Sequence, residues 1–324
     1  MSTIRINLQE GQGLGNQLWN IASAYSLSKY LGFDLQITSF QKFKARDFIR
    51  LPKGILTIDG AADDPLPVFQ ELMYNDRQLG YLASDFDAEI TEITNSAEIR
   101  GLFQSESYLQ LSNISLSKLF RLDEKLLSIE NDLKDKTILN IRGGEYKRHQ
   151  NLILPLDYWK NGVRELQKFS EVEDIVIVTD DVRYASLLFP GLRTISGNIG
   201  ECYAALHYGR NIIVSNSSFS YFPIMTRTEV PDVIAPALWA RHINKSNIWA
   251  SPCNYYPSWN WMDNNGELLS AVDASNIVKY TVKYYRDNYK VLHIPADNTK
   301  KPKNTVFLKK IVKSFLSLIW PRKF

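Results

Sequence analysis

The chain has 324 residues, 44% hydrophobic and 23% charged, a composition typical of a soluble globular protein with room for two domains. Its two cysteines, Cys202 and Cys253, exclude a disulfide framework and favour a reducing compartment. The first residues read as a strand rather than a signal peptide, and no apolar run is long enough for a membrane-spanning helix, so we expect neither.

The net charge of +3 is divided unevenly along the chain. Lys300–Phe324 holds eight basic residues and no acidic one, which leaves 30 basic against 35 acidic residues elsewhere. We therefore expect no nucleic-acid binding by this mildly acidic body, because a protein needs a basic face to neutralise the phosphates.

The first predicted strand, Ile4–Leu8, meets a glycine loop at Gly11–Gly15, and a helical pattern then runs to Gly32. The loop resembles a dinucleotide-binding fingerprint, except that Asn16 and Gln17 stand where its last glycine is expected. We interpret the loop as presenting backbone amides and Asn16 to a phosphate at a helix N-terminus. An ordinary strand-to-helix turn is the alternative.

From about residue 134 onward, short β-branched runs alternate with helical stretches. The predicted strands are Thr137–Ile141, Asp174–Thr179 and Asn211–Ser215, and the predicted helices lie near Leu156–Phe169, Val182–Leu188 and Glu201–Tyr208. This alternation predicts an α/β fold with a parallel, doubly wound sheet, in which ligands bind beyond the carboxyl ends of the strands.

Polar residues follow each of these three strands, so the topology would bring them to one edge of the sheet. Arg142 offers a planar fork of donors suited to phosphate, and Glu145 offers an acceptor or a base. Asp180 could pair with base nitrogen donors of a nucleotide, whereas Asp181 is equally well explained as a helix N-cap.

The third strand is followed by Ser215-Asn-Ser-Ser-Phe-Ser-Tyr221. Four hydroxyl or amide side chains ahead of a helix predict an anion nest, and a hydroxyl-rich cap is the alternative.

Two other patterns say less about function. Asp85-Phe-Asp87 matches the D-x-D pattern of metal-dependent sugar transferases, but it also reads as an acidic surface loop, and the four histidines lack metal-ligand spacing. The aromatic block Trp239–Trp261 is interpreted mainly as core, with room for one or two rings that stack on sugars.

The tail has one apolar stripe, formed by Phe307, Ile311, Phe315 and Leu318, with lysines in other directions. This pattern predicts a basic amphipathic helix that lies in the plane of an anionic membrane surface. A helix packed on the body is the alternative.

Several motifs together resemble α-1,2-fucosyltransferases of glycosyltransferase family 11, and they occur in the order seen in that family. They span residues 11 to about 260 and are Gly13-Leu-Gly-Asn-Gln17, Gly101-x-Phe-Gln-Ser-Glu-x-Tyr108, Asn140-x-Arg-x-Gly-Glu-Tyr146, Asp157-Tyr158, Thr179-Asp-Asp181, Ser215-Asn-Ser-Ser-Phe-Ser220 and Ile234-Ala-Pro-x-x-Trp239.

This resemblance implies a GT-B fold, in which two Rossmann-like domains face each other across a cleft and the second holds most of the GDP. It also implies transfer of fucose from GDP-β-L-fucose to a galactose 2-hydroxyl, with inversion and without an essential metal or other cofactor. Another GDP-sugar donor, another linkage, and a catalytically silent glycan- or sugar-nucleotide-binding protein are the alternatives.

The chain departs from the family motif His-x-Arg-Arg-Gly-Asp-Tyr at Asn140, Gly143 and Glu145. The first Arg, which contacts the diphosphate, is retained as Arg142. Asn140 stands at the position expected near guanine and can still form a hydrogen bond. The second Arg is missing.

The resemblance and the residue patterns together predict the site. The predicted catalytic residues are Arg142, Glu145 and Asn16, with Glu145 as the base and His149 and Asp157 as reserves. The predicted substrate-binding residues are Gly13, Gly15, Gln17, Asn140, His149, Asp180, Asp181, Ser215, Asn216, Ser217, Ser218 and Phe219.

We predict three segments: an acceptor-side α/β domain at 1–126, a GDP-sugar-binding Rossmann-like domain at 127–290, and a linker with the basic tail at 291–324. The expected partners are a GDP-sugar, an oligosaccharide or lipid-linked glycan, and an anionic membrane. The expected location is the cytoplasmic face of the membrane, in surface polysaccharide biosynthesis.

Overall fold

The computed structural model describes residues 2–76, 81–149, 152–239 and 247–294. Met1–Ile294 forms one compact unit. The amphipathic helix predicted within Lys300–Phe324 lies outside the described residues.

The strands of the described part, in chain order, are β1 (Thr3–Asn7), β2 (Asp34–Thr38), β3 (Ile49–Arg50), β4 (Leu56–Thr57), β5 (Val68–Gln70), β6 (Met73–Asp76), β7 (Tyr81–Ser84), β8 (Ala97–Arg100), β9 (Arg121–Leu122), β10 (Thr137–Ile141), β11 (Ile175–Thr179), β12 (Arg193–Ile195), β13 (Asn211–Val214), β14 (Asp232–Pro236), β15 (Asn260–Met262) and β16 (His293–Ile294). The helices are α1 (Leu14–Leu31), α2 (Glu106–Leu109), α3 (Leu116–Leu119), α4 (Glu130–Leu133), α5 (Leu156–Leu166), α6 (Val182–Leu188), α7 (Ile199–Tyr208), α8 (Tyr221–Met225), α9 (Ala271–Asp287) and α10 (Tyr289–Leu292).

The first half of the chain builds a parallel sheet in the order β4-β2-β1-β8-β5. The apolar residues Ile4 and Ile6 of β1 are buried, and α1 follows directly with its buried face against this strand and β2. Helix α1 ends where Gly32 adopts a left-handed φ of 70°, which glycine reaches without steric cost.

The second half builds a larger parallel sheet in the order β12-β11-β10-β13-β14-β15. All five residues of β10 are buried, as expected for a central strand with helices on both faces. In the second sheet, strands are added on one side of β10 up to β12 and then on its other side from β13 onward. In the first sheet, the same change of side occurs between β1 and β8. These two places are the topological switch points, where such sheets bind ligands.

The two sheets face each other across a cleft, which confirms the predicted α/β fold of the GT-B type with two Rossmann-like halves. Two antiparallel additions complete the architecture, β3-β9 and β16-β6-β7. The segment boundaries at residues 126 and 290 stay a prediction.

A continuous cluster of buried apolar residues runs through both halves. Trp19 of α1 packs against Tyr221 of α8, with ring centroids 4.3 Å apart. The tryptophans of the aromatic block that the structure describes, Trp239, Trp249, Trp259 and Trp261, are all buried, which confirms their interpretation as core. Within the described part of the chain, no helix combines the length and apolar character needed to cross a bilayer.

Candidate functional site

A cavity of about 680 Å³ lies between the carboxyl ends of the two sheets. This volume is within the range of small-molecule binding sites. Loops that follow β1, β10, β11, β12 and β13 line it. Of the predicted site residues, the lining includes Gly13, Gly15, Asn16, Asn140, Arg142, Glu145, Asp180, Ser217, Ser218 and Phe219.

Arg142 is held in place from several sides. Its Nη2 lies 3.2 Å from Oδ2 of Asp180 and 3.9 Å from Oε1 of Glu145. The guanidinium also sits over the ring of Tyr146, 5.1 Å from its centroid, in a cation–π geometry. Its Nε is buried and has no hydrogen-bond partner among the described residues. The guanidinium is therefore fixed in orientation and still has donor capacity for a ligand.

Asn140 presents an unused acceptor to the cavity. Its Nδ2 donates to the carbonyl of Val178 at 3.4 Å, while its Oδ1 is buried without a partner in the described structure. A buried, unpaired acceptor costs stability unless a ligand or water meets it. Asn140 is thus suited to accept a hydrogen bond from a bound molecule.

The glycines after β10 are required by close packing against the loop after β11. A Cβ on Gly143 would lie 2.8 Å from Cβ of Asp181 and from Cδ1 of Tyr184. A Cβ on Gly144 would lie 2.5 Å from Oδ2 of Asp180. The amide of Gly143 donates to Oδ1 of Asp180 at 2.9 Å. In this chain, therefore, the position of the missing second Arg has no room for a side chain.

Asn16 joins the two halves across the cleft. Its Oδ1 accepts hydrogen bonds from Nε2 of Gln104 at 2.8 Å and from Oγ of Ser218 at 2.7 Å. Gln104 follows β8 and Ser218 follows β13, so one donor comes from each half. Both hydrogen bonds engage the oxygen, and within the described part of the chain Nδ2 of Asn16 remains able to donate to a ligand.

Gly15 makes the tightest approach between the halves. A Cβ at this position would lie 2.4 Å from the carbonyl carbon of Ser218 and 2.6 Å from the amide nitrogen of Phe219. At Gly13, by contrast, an added Cβ would meet nothing within 4 Å. The glycine loop therefore serves backbone packing at residue 15 and leaves open space at residue 13.

The remaining predicted residues do not line the cavity among the described residues. Gln17 is fully buried and holds the segment after β2, since it donates to Lys42 O at 2.8 Å and accepts from Lys44 N at 3.0 Å. His149 is exposed at the end of a turn. Their predicted contacts with substrate stay a prediction.

Asp181, Ser215 and Asn216 also lie outside the lining. Asp181 acts as the N-cap of α6, accepting from Tyr184 N at 3.0 Å, and it pairs with Lys147, which lowers the pKa of its carboxyl. Oγ of Ser215 and the whole side-chain amide of Asn216 are buried without a hydrogen-bond partner in the described part.

The cavity also contains residues that sequence reasoning did not assign, among them Lys44, Tyr146 and Cys202. Burial raises the pKa of the Tyr146 hydroxyl, against the opposing charge of Arg142, and its OH donates to Asn216 O at 3.2 Å. Tyr146 belonged to a quoted motif, so the sequence held a signal for it. Lys44 follows no recognisable pattern, and only the fold brings it to the cleft.

The D-x-D aspartates take part in local backbone contacts. Asp87 caps a short 3₁₀ helix by accepting from Glu89 N, and Asp85 accepts from Phe86 N. Among the described residues, no group of three or more histidine, cysteine or acidic side chains is arranged to hold a metal ion.

Two facing doubly wound sheets with a polar cleft at both switch points are the architecture of glycosyltransferases of the GT-B type. No protein-family model matches the chain. The chain is similar to WbnK, an O-antigen biosynthesis glycosyltransferase of Escherichia coli, with 26% identity over 182 residues. This match covers 48% of the chain and only 60% of the relative's length.

Solved structures show weaker likenesses. Fucosyltransferase NodZ from Bradyrhizobium matches with a TM-score of 0.47 and 15% identity, over 72% of this chain and 93% of that chain. A family 9 glycosyl transferase from Veillonella parvula matches with the same TM-score and 10% identity, over 88% of this chain and 98% of that chain. The chain is glycosyltransferase-like, and membership of family 11 stays a prediction.

Proposed function

We propose that this protein is an inverting, metal-independent glycosyltransferase that moves fucose from GDP-β-L-fucose to the 2-hydroxyl of a galactose in a glycan. One observation carries the proposal: among the described residues, Nε of Arg142 and Oδ1 of Asn140 have no hydrogen-bond partner, and both side chains line, with Asn16, the cavity between the two sheets. The family motifs in the sequence support fucose as the sugar, and similarity to WbnK supports glycan synthesis.

The proposed role of Arg142 and Asn16 is to stabilise the leaving diphosphate. As the bond between C1 of fucose and the phosphate oxygen breaks, an oxocarbenium-like state forms and negative charge grows on GDP. Donors that are already oriented meet this charge without reorganisation. Arg142 supplies the charged fork and Asn16 supplies Nδ2, while Lys44, which lines the same cavity, supplies a second positive charge.

Lys44 offers an explanation for the missing second Arg of the motif. Gly143 cannot carry a side chain without displacing Asp181 and Tyr184. Among the described lining residues, Lys44 and Arg142 are the cations. Lys44 belongs to the half opposite Arg142, and Gln17 of that same half fixes its backbone. The second charge therefore comes from across the cleft.

The nucleotide base is proposed to meet Asn140 and Asp180. Oδ1 of Asn140 is an unpaired acceptor, and Asp180 lines the same cavity with its carboxylate beside Arg142. Acceptors of this kind suit the N–H groups of guanine. Ser217, Ser218 and Phe219, which follow the neighbouring strand β13, line the same cavity.

Glu145 is the proposed base. Its side chain is 75% exposed, so it can meet an acceptor sugar, and it lies 3.9 Å from the arginine that holds the donor. In the proposed step it takes the proton of the galactose 2-hydroxyl while that oxygen bonds to C1 of fucose from the face opposite to GDP. Asp157 and His149 remain the alternatives for this role.

One assay separates this function from its alternatives. We expect release of GDP from GDP-fucose only when a galactosyl acceptor is present, with an α-1,2 linkage in the product and full activity in chelator. GDP-mannose serves as the matched donor. Preference for GDP-mannose would indicate another GDP-sugar transferase, and GDP binding without transfer would indicate a silent binding protein.

The proposed location is the inner face of the cytoplasmic membrane, with a lipid-linked or surface-polysaccharide precursor as acceptor. The charge and amphipathic pattern of Lys300–Phe324 support it. Co-sedimentation with vesicles of anionic and of neutral lipid tests it. We expect binding to anionic vesicles alone, and its loss on deletion of Lys300–Phe324. Equal sedimentation of the deletion variant would contradict the membrane role.

A further inference from the structure

A buried carboxyl group lies directly behind the cleft. Glu71 follows the end of β5 and is 1% exposed. Its Oε2 accepts hydrogen bonds from the amides of Leu102 at 2.6 Å and Phe103 at 2.9 Å, and its Oε1 accepts from the hydroxyl of Tyr108 at 3.1 Å. Acidic residues are rarely this buried, and Glu71 has no cation partner among the described ion pairs.

The segment that Glu71 holds has an unusual backbone. Phe103 has a φ of 49°, which is uncommon for a bulky residue and requires support from its surroundings. A Cβ on Gly101 would lie 2.4 Å from Cβ of Glu71. The backbone at residue 101 therefore lies so close to the Glu71 side chain that only glycine fits there. The hydrogen bonds from the two amides to Glu71, together with the one that Ser23 Oγ donates to Phe103 O at 3.0 Å, therefore hold the path of residues 101–103.

The next residue along this path reaches the cleft. Gln104 donates to Oδ1 of Asn16 at 2.8 Å, and its own Oε1 accepts from Nδ2 of Asn254 at 3.2 Å. Asn16 lines the cavity, and its Nδ2 is the group proposed to contact the donor. Glu71 is thus linked to Asn16 in three steps: by hydrogen bonds to the amides of Leu102 and Phe103, by the backbone to Gln104, and by the hydrogen bond from Gln104 to Asn16.

We infer that Glu71 is a positioning residue for the donor site: its carboxyl group fixes the 101–104 segment, and this segment orients Asn16 through Gln104. Glu71 does not itself line the cavity. The inference rests on the proposed function, because Asn16 is taken to contact the donor diphosphate. It adds a residue that none of the predicted roles included.

The test compares two substitutions at Glu71. Glu71→Gln keeps an oxygen for the two amides and presents an NH₂ group to Tyr108 Oη, which can accept a hydrogen bond. Glu71→Leu keeps the volume but removes every acceptor. Glu98→Gln on the neighbouring β8 is the matched control, since Glu98 pairs only with the exposed Arg100 at 2.6 Å among the described ion pairs.

We expect kcat to fall by about 100-fold in Glu71→Leu, with a smaller change in the KM for the acceptor, because a misplaced donor costs about this much. Glu71→Gln and Glu98→Gln should stay within about threefold of wild type. In an Asn16→Ala background, Glu71→Leu should cause little further loss, because the two residues act as one unit. If Glu71→Leu lowered kcat by the same factor in the Asn16→Ala background as in the wild type, the inference would be overturned.

Amide hydrogen exchange supplies a readout that needs no substrate. Glu71→Leu should raise exchange both in residues 101–104 and near Asn16, and unchanged exchange near Asn16 would overturn the inference. If Glu71→Leu does not fold, Gln104→Leu breaks the next link and should show the same kinetic non-additivity with Asn16→Ala. A wild-type protein that neither binds GDP nor transfers fucose would refute the proposed function instead, and the exchange result would stand separately.

Discussion

At the scale of single residues, the cleft is organised around one arginine with more partners than a surface arginine has. Asp180, Glu145 and the ring of Tyr146 restrict the guanidinium of Arg142 before any ligand arrives. A donor that is already oriented contributes more to a charged transition state than one that must be ordered during the reaction.

We expect Arg142→Ala to lower kcat by about 10²–10³-fold, and Arg142→Lys to restore little of it, because a lysine keeps the charge without the planar fork. Initial rates of GDP release measure both. Arg164→Ala on α5 is the control, since Arg164 is exposed and pairs only with its neighbour Glu165 among the described residues. Activity within a few-fold of wild type in Arg142→Ala would refute the assignment.

The titration of the Glu71 carboxyl predicts how the free energy of unfolding depends on pH. Burial raises the pKa of its carboxyl from 4.5 to about 7, although hydrogen bonds from Phe103 N, Leu102 N and Tyr108 oppose the shift, and nearby Asp87 adds to it. A raised folded-state pKa means that the folded chain binds the extra proton. The associated stability is complete below about pH 4.5 and is lost as the pH rises to about 7.

Glu71→Gln removes this titration while keeping the shape. We expect the variant to exceed wild type by about 3 kcal/mol in free energy of unfolding at pH 8, and to match it near pH 4.5. Urea titrations at both pH values measure the difference. The same difference at both pH values would show that the carboxyl does not titrate in this window.

The position of a predicted residue in the cleft could be derived from the sequence where the residue belongs to a local motif at the end of a strand. Arg142 and Asp180 follow neighbouring strands of one doubly wound sheet, so their convergence follows from sequence pattern and topology. Asn16 follows β1 of the other sheet and meets them because the two sheets face each other. Lys44 and Glu71 lie in irregular segments, and their positions depend on contacts with residues far along the chain. No local pattern encodes such contacts.

At the scale of secondary-structure elements, the central strands β10, β11 and β13 of the second sheet were predictable because their residues are almost all buried. The predicted bounds of β10 and α6 agree with the structure residue for residue. Helix α5 ends at Leu166 rather than Phe169, because Lys168 and Phe169 turn back to bond with Glu165 and Leu166. The first half resisted prediction, since strands of two or three residues such as β4 and β5 show no periodicity.

The contact between the first turn of α1 and the loop after β13 leads to a prediction about stability. We expect Gly15→Ala to lower the free energy of unfolding by about 2 kcal/mol, since its Cβ would overlap the backbone of Ser218, which no rotamer change can relieve. Gly13→Ala has open space and should cost no more than about 0.5 kcal/mol. Thermal unfolding compares the two. Equal losses would mean that the halves adjust freely at this contact.

At the scale of the whole molecule, the largest apolar cluster of the described residues and the cavity beside it both include residues of the two sheets. A ligand that contacts loops of both halves should therefore stabilise the compact unit as a whole rather than one half.

We expect GDP at 100 times its dissociation constant to stabilise the protein by about 2.7 kcal/mol and to shift a single unfolding transition. Differential scanning calorimetry measures the shift. Arg142→Ala should reduce it at the same GDP concentration, whereas Arg164→Ala should not. Two separate transitions, of which GDP moves only one, would contradict a shared cleft.

The contact of Gly15 with Ser218 has a mechanical consequence. It is made by backbone atoms on one side and by the absence of a side chain on the other, so no rearrangement of rotamers can loosen it. Translation of the sheets away from each other would break it, together with the adjoining hydrogen bond of Asn16. Rotation about it would break neither. A motion that widens the cleft while keeping this contact would therefore be a rotation of one sheet about Gly15 and Ser218 rather than a translation.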